Sequence, residues 1–111
     1  MEIREDNKFY IITPLCRKLD SRESQRVIAE ILKENRLIGL DLKFVFDCTF
    51  DFIEAIKEVC QKKSIGIFNI SSDVFATFDF FEVDKFAKIF VSELDFEEDS
   101  RQIVNRHFSI V

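Results

Sequence analysis

The feature that most constrains the fold is the alternation of two hydrophobic patterns along the chain. Short, almost continuous apolar runs occupy residues 9–12, 37–42, 64–70 and 88–91. The segments between them are longer, and their apolar residues recur every three or four positions, which is the period of an amphipathic helix. Because parallel strands need a connection of helix length, repeated strand–helix–strand units predict an α/β domain with a mainly parallel sheet.

The amino-terminal third predicts a hairpin followed by a helix. Residues 1–4 fit a short edge strand, and residues 6–7 fit a turn into the run at residues 9–12. Asp20, with Glu23 three residues later, has the spacing of a helix N-cap. The expected apolar face of this first helix comprises Val27, Ile28, Ile31 and Leu32.

Three more helices are predicted in the rest of the chain. A loop or strand extension over residues 44–49 leads into the second helix, residues 71–73 cap the third, and Ser92 begins an acidic fourth. Residues 88–91 are predicted as the last central strand, and the polar–apolar alternation of residues 107–111 adds an optional edge strand. The apolar positions that define these helices are Phe52, Ile53, Ile56, Val59 and Cys60; Val74, Phe75, Phe78 and Phe81; and Phe96, Ile103 and Val104.

Length and composition exclude several classes of protein. The chain has 111 residues, which fits one domain over residues 1–111, and its 47% hydrophobic content is too high for a disordered tail. The net charge is −5 and no Lys/Arg cluster occurs, so nucleic acid is not an expected partner. No apolar run approaches the ~20 residues that span a bilayer, and no apolar signal core is present. We therefore expect a cytoplasmic protein that contacts no membrane.

Groups that could carry chemistry are few. Cys16, Cys48 and Cys60 are scattered and odd in number, which indicates reduced, mostly buried thiols rather than disulfides or a zinc site. His107 is the single histidine, so no pair of histidines can hold a metal, and no Ser/His/Asp spacing stands out. Asp41 ends a buried strand, as the acceptor of a receiver domain does, but the early acidic pair of a receiver is absent. The sequence therefore predicts a non-enzymatic protein without a cofactor or metal.

Two local motifs resemble the STAS family, named for sulfate transporters and anti-sigma factor antagonists. Residues 41–43 read Asp-Leu-Lys, and after a short apolar stretch residues 47–50 read Asp-Cys-Thr-Phe; the family pattern is D-L-S and then D-S-S-G at a helix start. The turn over residues 69–74 bears an asparagine before a helix, which is also similar to the family. The resemblance implies a single STAS-like domain, with a mixed, mostly parallel sheet and about four helices packed mainly on one side.

The resemblance also implies a function and a site. In antagonist members a Ser or Thr of this motif is phosphorylated by a kinase that is also an anti-sigma factor, and the motif places Thr49 at that position. The chain would then be a regulatory module that binds an anti-sigma-type serine/threonine kinase or a related regulatory protein. A phosphate at a helix start is tolerated by the free N–H groups there, yet repels an acidic partner surface. The expected contact residues are Asp47, Cys48, Phe50, Ile53, Ser71 and Ser72.

The same residues allow plainer interpretations, and the oligomeric state is not indicated. Thr49 and Asp47 can act simply as caps of the second helix, and Cys48 as a small buried filler. The phenylalanines within residues 75–90 either fill the core or line a partner surface or ligand pocket. The acids within residues 93–99 either complement the helix dipole or dock a basic partner. The alternative function is a scaffold without a phosphoswitch that binds a small apolar or anionic ligand or self-associates.

Overall fold

A computed structural model of the chain describes residues 1–99, in which seven strands and four helices occur. In chain order they are β1 (Glu2–Glu5), β2 (Phe9–Thr13), β3 (Lys18–Leu19), α1 (Ser21–Lys33), β4 (Leu37–Asp41), β5 (Asp47–Cys48), α2 (Phe50–Val59), β6 (Ile65–Phe68), α3 (Ser72–Phe80), a 3-10 turn (Val83–Lys85), β7 (Lys88–Ile89) and α4 (residues 93–99). The predicted order of strands and helices is confirmed through α4. The two-residue strand β3 was not predicted, and β5 lies within residues 44–49, which were predicted as a loop or strand extension.

Five strands form the main sheet in the order β1-β2-β4-β6-β7. β1 pairs antiparallel with β2, whereas the other three pairings are parallel, so the predicted mixed, mostly parallel sheet is confirmed. Residues 88–91 were predicted as the last central strand, next to an optional edge strand over residues 107–111 that lies outside the described residues. Within the described chain β7 lies at the edge, because its two residues pair with β6 at Gly66 and Ile67 and Lys88 is exposed.

The sheet is covered on both faces, but unequally. Alternate strand residues such as Ile12, Leu40 and Ile67 face one side and join the larger core, to which α1, α2 and α3 contribute. Phe9, Ile11 and Phe68 belong to a second, smaller core with Phe96 of α4. The prediction of helices mainly on one side is confirmed, with three helices on one face and α4 on the other.

Side-chain caps set where the helices begin. The Asp20 carboxylate accepts a hydrogen bond from the Glu23 N–H (2.9 Å) at the start of α1, as predicted. The Ser71 hydroxyl accepts from the Val74 N–H (3.3 Å) at the start of α3, and the Ser92 hydroxyl accepts from the Asp95 N–H (3.3 Å) at the start of α4. Each bond satisfies a donor that has no partner within its helix.

The predicted buried faces are mostly correct, with two exceptions. Leu32 of α1 and Phe75 of α3 were assigned to the core, but they are 51% and 50% exposed. Each directly follows a fully buried residue of its helix. Because only about a third of the circumference of a helix can contact the sheet, the next residue points away from it. Ile103, Val104, His107 and the optional strand over residues 107–111 lie outside the described residues.

The helices of the described chain are short. The longest, α1, has 13 residues. No helix within residues 1–99 is long and apolar enough to cross a membrane.

Candidate functional site

The carboxyl ends of β2, β4 and β6 bring three polar residues together at one edge of the sheet. Asp41 is fully buried there, and the Thr13 hydroxyl donates to its Oδ2 atom (3.4 Å). The Asn69 side-chain amide and the Lys43 backbone N–H each donate to Oδ1 (3.1 Å). In open α/β sheets this edge is where functional groups collect.

Two cations compensate the Asp41 charge. The Arg4 guanidinium and the Lys43 ammonium each lie 3.6 Å from Oδ2. Arg4 also donates two hydrogen bonds to Glu93 of α4 (3.1 and 2.5 Å), which raise the pKa of Arg4 above its ordinary value. Asp41 of β4 is therefore linked to Arg4 of β1 and, through Arg4, to Glu93 of α4. Its carboxylate is not accessible to solvent. Its role is therefore structural, not that of an exposed phosphoacceptor.

Asn69 shapes the turn after β6. Its φ angle is 56°, in the left-handed region that asparagine adopts more readily than most residues. In this conformation its side chain reaches back to Asp41. The asparagine that the sequence singled out therefore connects the turn before α3 to the central strand.

A second, two-stranded sheet fixes the loop that carries Thr49. β3 pairs in parallel with β5, with Lys18 opposite Asp47 and Leu19 opposite Cys48. The N–H groups of Phe46 and Asp47 both donate to the Arg17 carbonyl (2.8 and 3.1 Å). These bonds hold the loop before α2 against the loop before α1.

Thr49 occupies the N-cap position of α2, but its hydroxyl does not cap the helix. Its carbonyl accepts the N–H groups of Phe52 (3.1 Å) and Ile53 (3.2 Å), whereas its side chain makes no cap hydrogen bond. Instead Oγ1 donates to the Leu19 carbonyl (3.2 Å), which also accepts the Thr49 N–H (3.0 Å). The cap interpretation therefore holds for the backbone of Thr49, and its half-buried hydroxyl belongs to the contact with β3.

The other predicted contact residues divide into surface and core. Asp47, Phe50 and Ser72 are exposed, and Cys48 and Ser71 are half-buried. Ser71 and Ser72 begin α3, which packs against β5. Ile53 is the exception, since it is fully buried among core residues. It faces the sheet from α2, so its assignment as a contact residue is corrected.

The environment of Cys48 makes its thiol unreactive. Burial, followed by the charge of Asp47, raises the pKa of Cys48 to about 11. The thiolate is the nucleophilic form of cysteine, so Cys48 is a neutral, inert side chain near pH 7. This agrees with the interpretation of Cys48 as a small filler.

Exposed phenylalanines surround this loop, and the sequence analysis missed two of them. Phe44, Phe46, Phe50 and Phe80 are 45%, 48%, 58% and 78% exposed. The sequence pattern that could have revealed Phe44 and Phe46 is the alternation Phe44-Val45-Phe46, in which Val45 is buried and the two rings face outward.

Ring contacts and cations hold these phenylalanines in place. Phe81 lies 5.5 Å from Phe50 and 5.0 Å from Phe80, measured between ring centroids. Arg17 stands over the Phe46 ring at 5.2 Å, and Lys43 over the Phe44 ring at 5.4 Å. Such cation–π contacts orient exposed rings. Exposed aromatic side chains that lie together, as Phe50 and Phe80 do on either side of Phe81, are typical of a protein-binding site.

The element order, sheet topology and helix placement define the α/β STAS-like fold. No protein-family model matches the chain, and no curated protein matches its sequence. Among solved structures, the chain is similar to a Thermotoga maritima protein provisionally described as an anti-sigma factor antagonist, with a TM-score of 0.76. The two are 14% identical, and the match covers 90% of this chain and 93% of the other. At this identity the likeness shows the fold.

Proposed function

We propose that this chain is a non-enzymatic, cytoplasmic regulatory module that binds another protein, in the manner of an anti-sigma factor antagonist. The observation that carries the proposal is the set of exposed phenylalanines in and next to the Thr49 loop, namely Phe44, Phe46, Phe50 and Phe80. The likeness in fold to a protein described as such an antagonist supports it. The proposed partner is an anti-sigma-type serine/threonine kinase or a related regulatory protein.

The proposed contact area is named the Thr49 surface. Its members are Phe44, Phe46, Asp47, Cys48, Thr49, Phe50, Ser71, Ser72 and Phe80. Large aromatic side chains that become buried on binding supply most of the energy of many interfaces, at roughly 25 cal/mol for each Å² of apolar surface removed from water. Asp47 and Ser72, which are exposed, supply a polar rim.

Phosphorylation of Thr49 is the proposed switch, and the geometry gives it a physical basis. The hydroxyl donates to the Leu19 carbonyl, whereas a phosphate ester at that oxygen can only accept. The phosphate would have to turn from Leu19 towards the first N–H groups of α2, which have no partner within the helix. Its added charge of about −1.5 to −2 would stand near Asp47 and Asp51 and repel an acidic partner.

The proposal is tested by capture from the native host lysate with the full chain as bait. We expect a kinase of the anti-sigma type among the captured proteins, and phosphate on Thr49 by mass spectrometry. Phe50→Ser should abolish capture, whereas Phe86→Ser, which changes an exposed phenylalanine far from Thr49 in the sequence, should not. Equal capture by the wild type and Phe50→Ser would contradict the proposed surface.

The switch is tested separately with the captured kinase. Thr49→Glu should weaken binding at least tenfold, or ~1.4 kcal/mol, in a chain that still folds but is less stable by about 1 kcal/mol, because the hydrogen bond from the Thr49 hydroxyl to the Leu19 carbonyl is lost. Gln25→Glu adds the same charge at an exposed position of α1 and should bind like the wild type. Wild-type affinity in Thr49→Glu would remove Thr49 from the switch while leaving the surface in place.

A further inference from the structure

A cavity of about 770 Å³ opens at the end of the sheet opposite the Thr49 surface. The first residues of β4, β6 and β7 border it, and Cys60 lines it where α2 ends. A volume of this size lies within the range that small-molecule sites occupy, roughly 300–1,000 Å³. Nothing in the proposed function uses this cavity.

The inner wall of the cavity is apolar. The Phe96 ring lies behind this wall because residue 66 is a glycine. A Cβ atom at Gly66 would lie 2.4 Å from the Phe96 ring, so only glycine leaves room for that ring across β6. Burial raises the pKa of the Cys60 thiol to about 12, which keeps it neutral. The other apolar side chains of the wall are Leu37, Ile65, Phe86 and Phe90.

The rim of the cavity is cationic, although the chain as a whole has a net charge of −5. Arg36, Lys62, Lys63 and Lys88 line it, and Asp99 is the only acid among the described lining residues. The rim therefore has a local excess of positive charge in a chain that is negative overall.

Two of the four cations have carboxylate partners. Lys88 pairs with Asp99 at 3.1 Å. Arg36 donates to Glu34 at 2.8 Å, and this hydrogen bond lowers the pKa of Glu34 to about 2, so the pair stays charged above that pH.

Within residues 1–99 the other two cations, Lys62 and Lys63, have no carboxylate partner. The Lys63 ammonium donates to neutral acceptors, the Glu34 carbonyl (2.8 Å) and the Asn35 side-chain oxygen (3.4 Å). Lys62 is exposed and has no ion-pair or side-chain hydrogen-bond partner within residues 1–99. An anion at this rim would gain two ammonium groups without displacing a carboxylate from either.

We infer that this cavity binds an amphipathic organic anion, with its carboxylate or phosphate head at Lys62 and Lys63 and its hydrocarbon body against Leu37, Phe86 and Phe90. The positive charge of the rim favours such an anion over residues 100–111 of the chain itself as the occupant of the cavity. Residues 100–111 contain Arg101 and Arg106 but no acidic side chain, so their side-chain charges have the same sign as the rim.

The first test measures binding of decanoate and decyl phosphate to the full chain, with decanol and decylamine as uncharged and cationic controls. Both anions should raise the thermal midpoint and shift the amide NMR signals of residues 60–66 and 86–90. Affinity should rise about fourfold for each methylene from hexanoate to decanoate if the added group becomes buried. Decanol and decylamine should bind at least tenfold more weakly.

The second test locates the site with matched variants. Lys62→Glu should weaken decanoate binding about tenfold, since an attraction becomes a repulsion. Phe86→Ser should flatten the dependence on chain length. Arg26→Glu makes the same charge change on the exposed surface of α1, outside the cavity, and should bind decanoate like the wild type.

Several results would overturn the inference. Absence of binding by both anions would do so, and so would equal binding of decanol. Decanoate affinity that is the same in Lys62→Glu and the wild type would place binding elsewhere. Nuclear Overhauser contacts between Val104 or Phe108 and Phe90 in the free protein would show that the chain fills its own cavity. None of these results bears on the Thr49 surface.

Discussion

The two ends of the parallel sheet differ in which kind of side chain is buried and which is exposed. At the carboxyl end a charged group, Asp41, is buried and the phenylalanines Phe44, Phe46 and Phe50 are exposed. At the amino end Phe96 is buried and the charges of Lys62 and others form the rim. The comparison shows that the buried polar groups at the carboxyl end, Thr13 and Asp41, belong to the strands themselves. The rim residues Lys62 and Lys63 at the amino end come instead from the loop after α2.

Helix α2 connects these ends. It begins after Thr49 and ends before Cys60, and ten residues of α-helix span about 15 Å. A partner at the carboxyl end and a ligand at the amino end could therefore occupy the molecule together. The following predictions test whether the two ends differ in the way described.

The largest expected effect is at the buried carboxylate. Asp41→Ala should lower the free energy of unfolding by about 3 kcal/mol, because the Asn69 amide and the Lys43 N–H lose their acceptor in a buried place. Equilibrium unfolding in urea measures this loss. Asp79→Ala, at an exposed position of α3, is the control and should stay near the wild type. A loss below 1 kcal/mol at Asp41 would refute the buried network.

A smaller effect is expected at the two strand glycines. A Cβ at Gly66 would lie 2.4 Å from the Phe96 ring, whereas one at Gly39 would lie 3.0 Å from the rings of Phe68 and Phe96. Gly66→Ala should therefore cost about 2 kcal/mol, within the usual range for overpacking, and Gly39→Ala less.

The glycine pair also tests the cavity wall. Gly66→Ala displaces Phe96 and should reduce decanoate binding, whereas Gly39→Ala should reduce it less. The measurements are urea unfolding and the decanoate titration. The reverse order of stability in the two variants would mean that Phe96 does not lie across Gly66.

One cysteine at each end gives a chemical comparison. Burial raises the pKa of Cys48 to about 11 and that of Cys60 to about 12, so at pH 9 both thiols are protonated and the thiolate fraction of Cys60 is the smaller. Iodoacetamide should modify Cys48 faster than Cys60, and both rates should rise with pH. Peptide mass spectrometry follows each site, and rapid modification of Cys60 at pH 7 would contradict its burial.

The smallest effect on stability is expected at Asp47, an exposed residue whose carboxylate lies 3.9 Å from the Lys18 ammonium. Asp47→Asn should change the free energy of unfolding by less than ~0.5 kcal/mol, as exposed ion pairs usually do. The same variant should change partner binding if Asp47 belongs to the rim of the Thr49 surface. A large loss of stability would mean that the β3–β5 sheet depends on this charge.

Much of the fold could be predicted because it is encoded locally. The Asp20 and Ser71 caps act within three residues of sequence, and the spacing of Val27 and Ile31 marks the buried side of α1. Leu32 and Phe75 were assigned inward because periodicity identifies a helix more securely than it fixes the width of its buried face.

The candidate sites were harder to predict. The motif led to Asp47, Thr49 and Phe50, but it could not show that the Thr49 hydroxyl donates to Leu19, 30 residues away. Nor could it distinguish Ile53, which faces the core, from Phe50, three residues earlier and at the surface. Both outcomes depend on how α2 is rotated against the sheet.

The sequence by itself determined the alternation of strands and helices, the parallel character of the sheet and the helix starts, because these follow from backbone periodicity and from contacts a few residues apart. Only the tertiary structure decided that β3 pairs with β5 and that Arg36, Lys62, Lys63 and Lys88 meet at one rim. Residues so far apart in the chain are joined by strand pairing and packing, and no local pattern records which distant segments will meet.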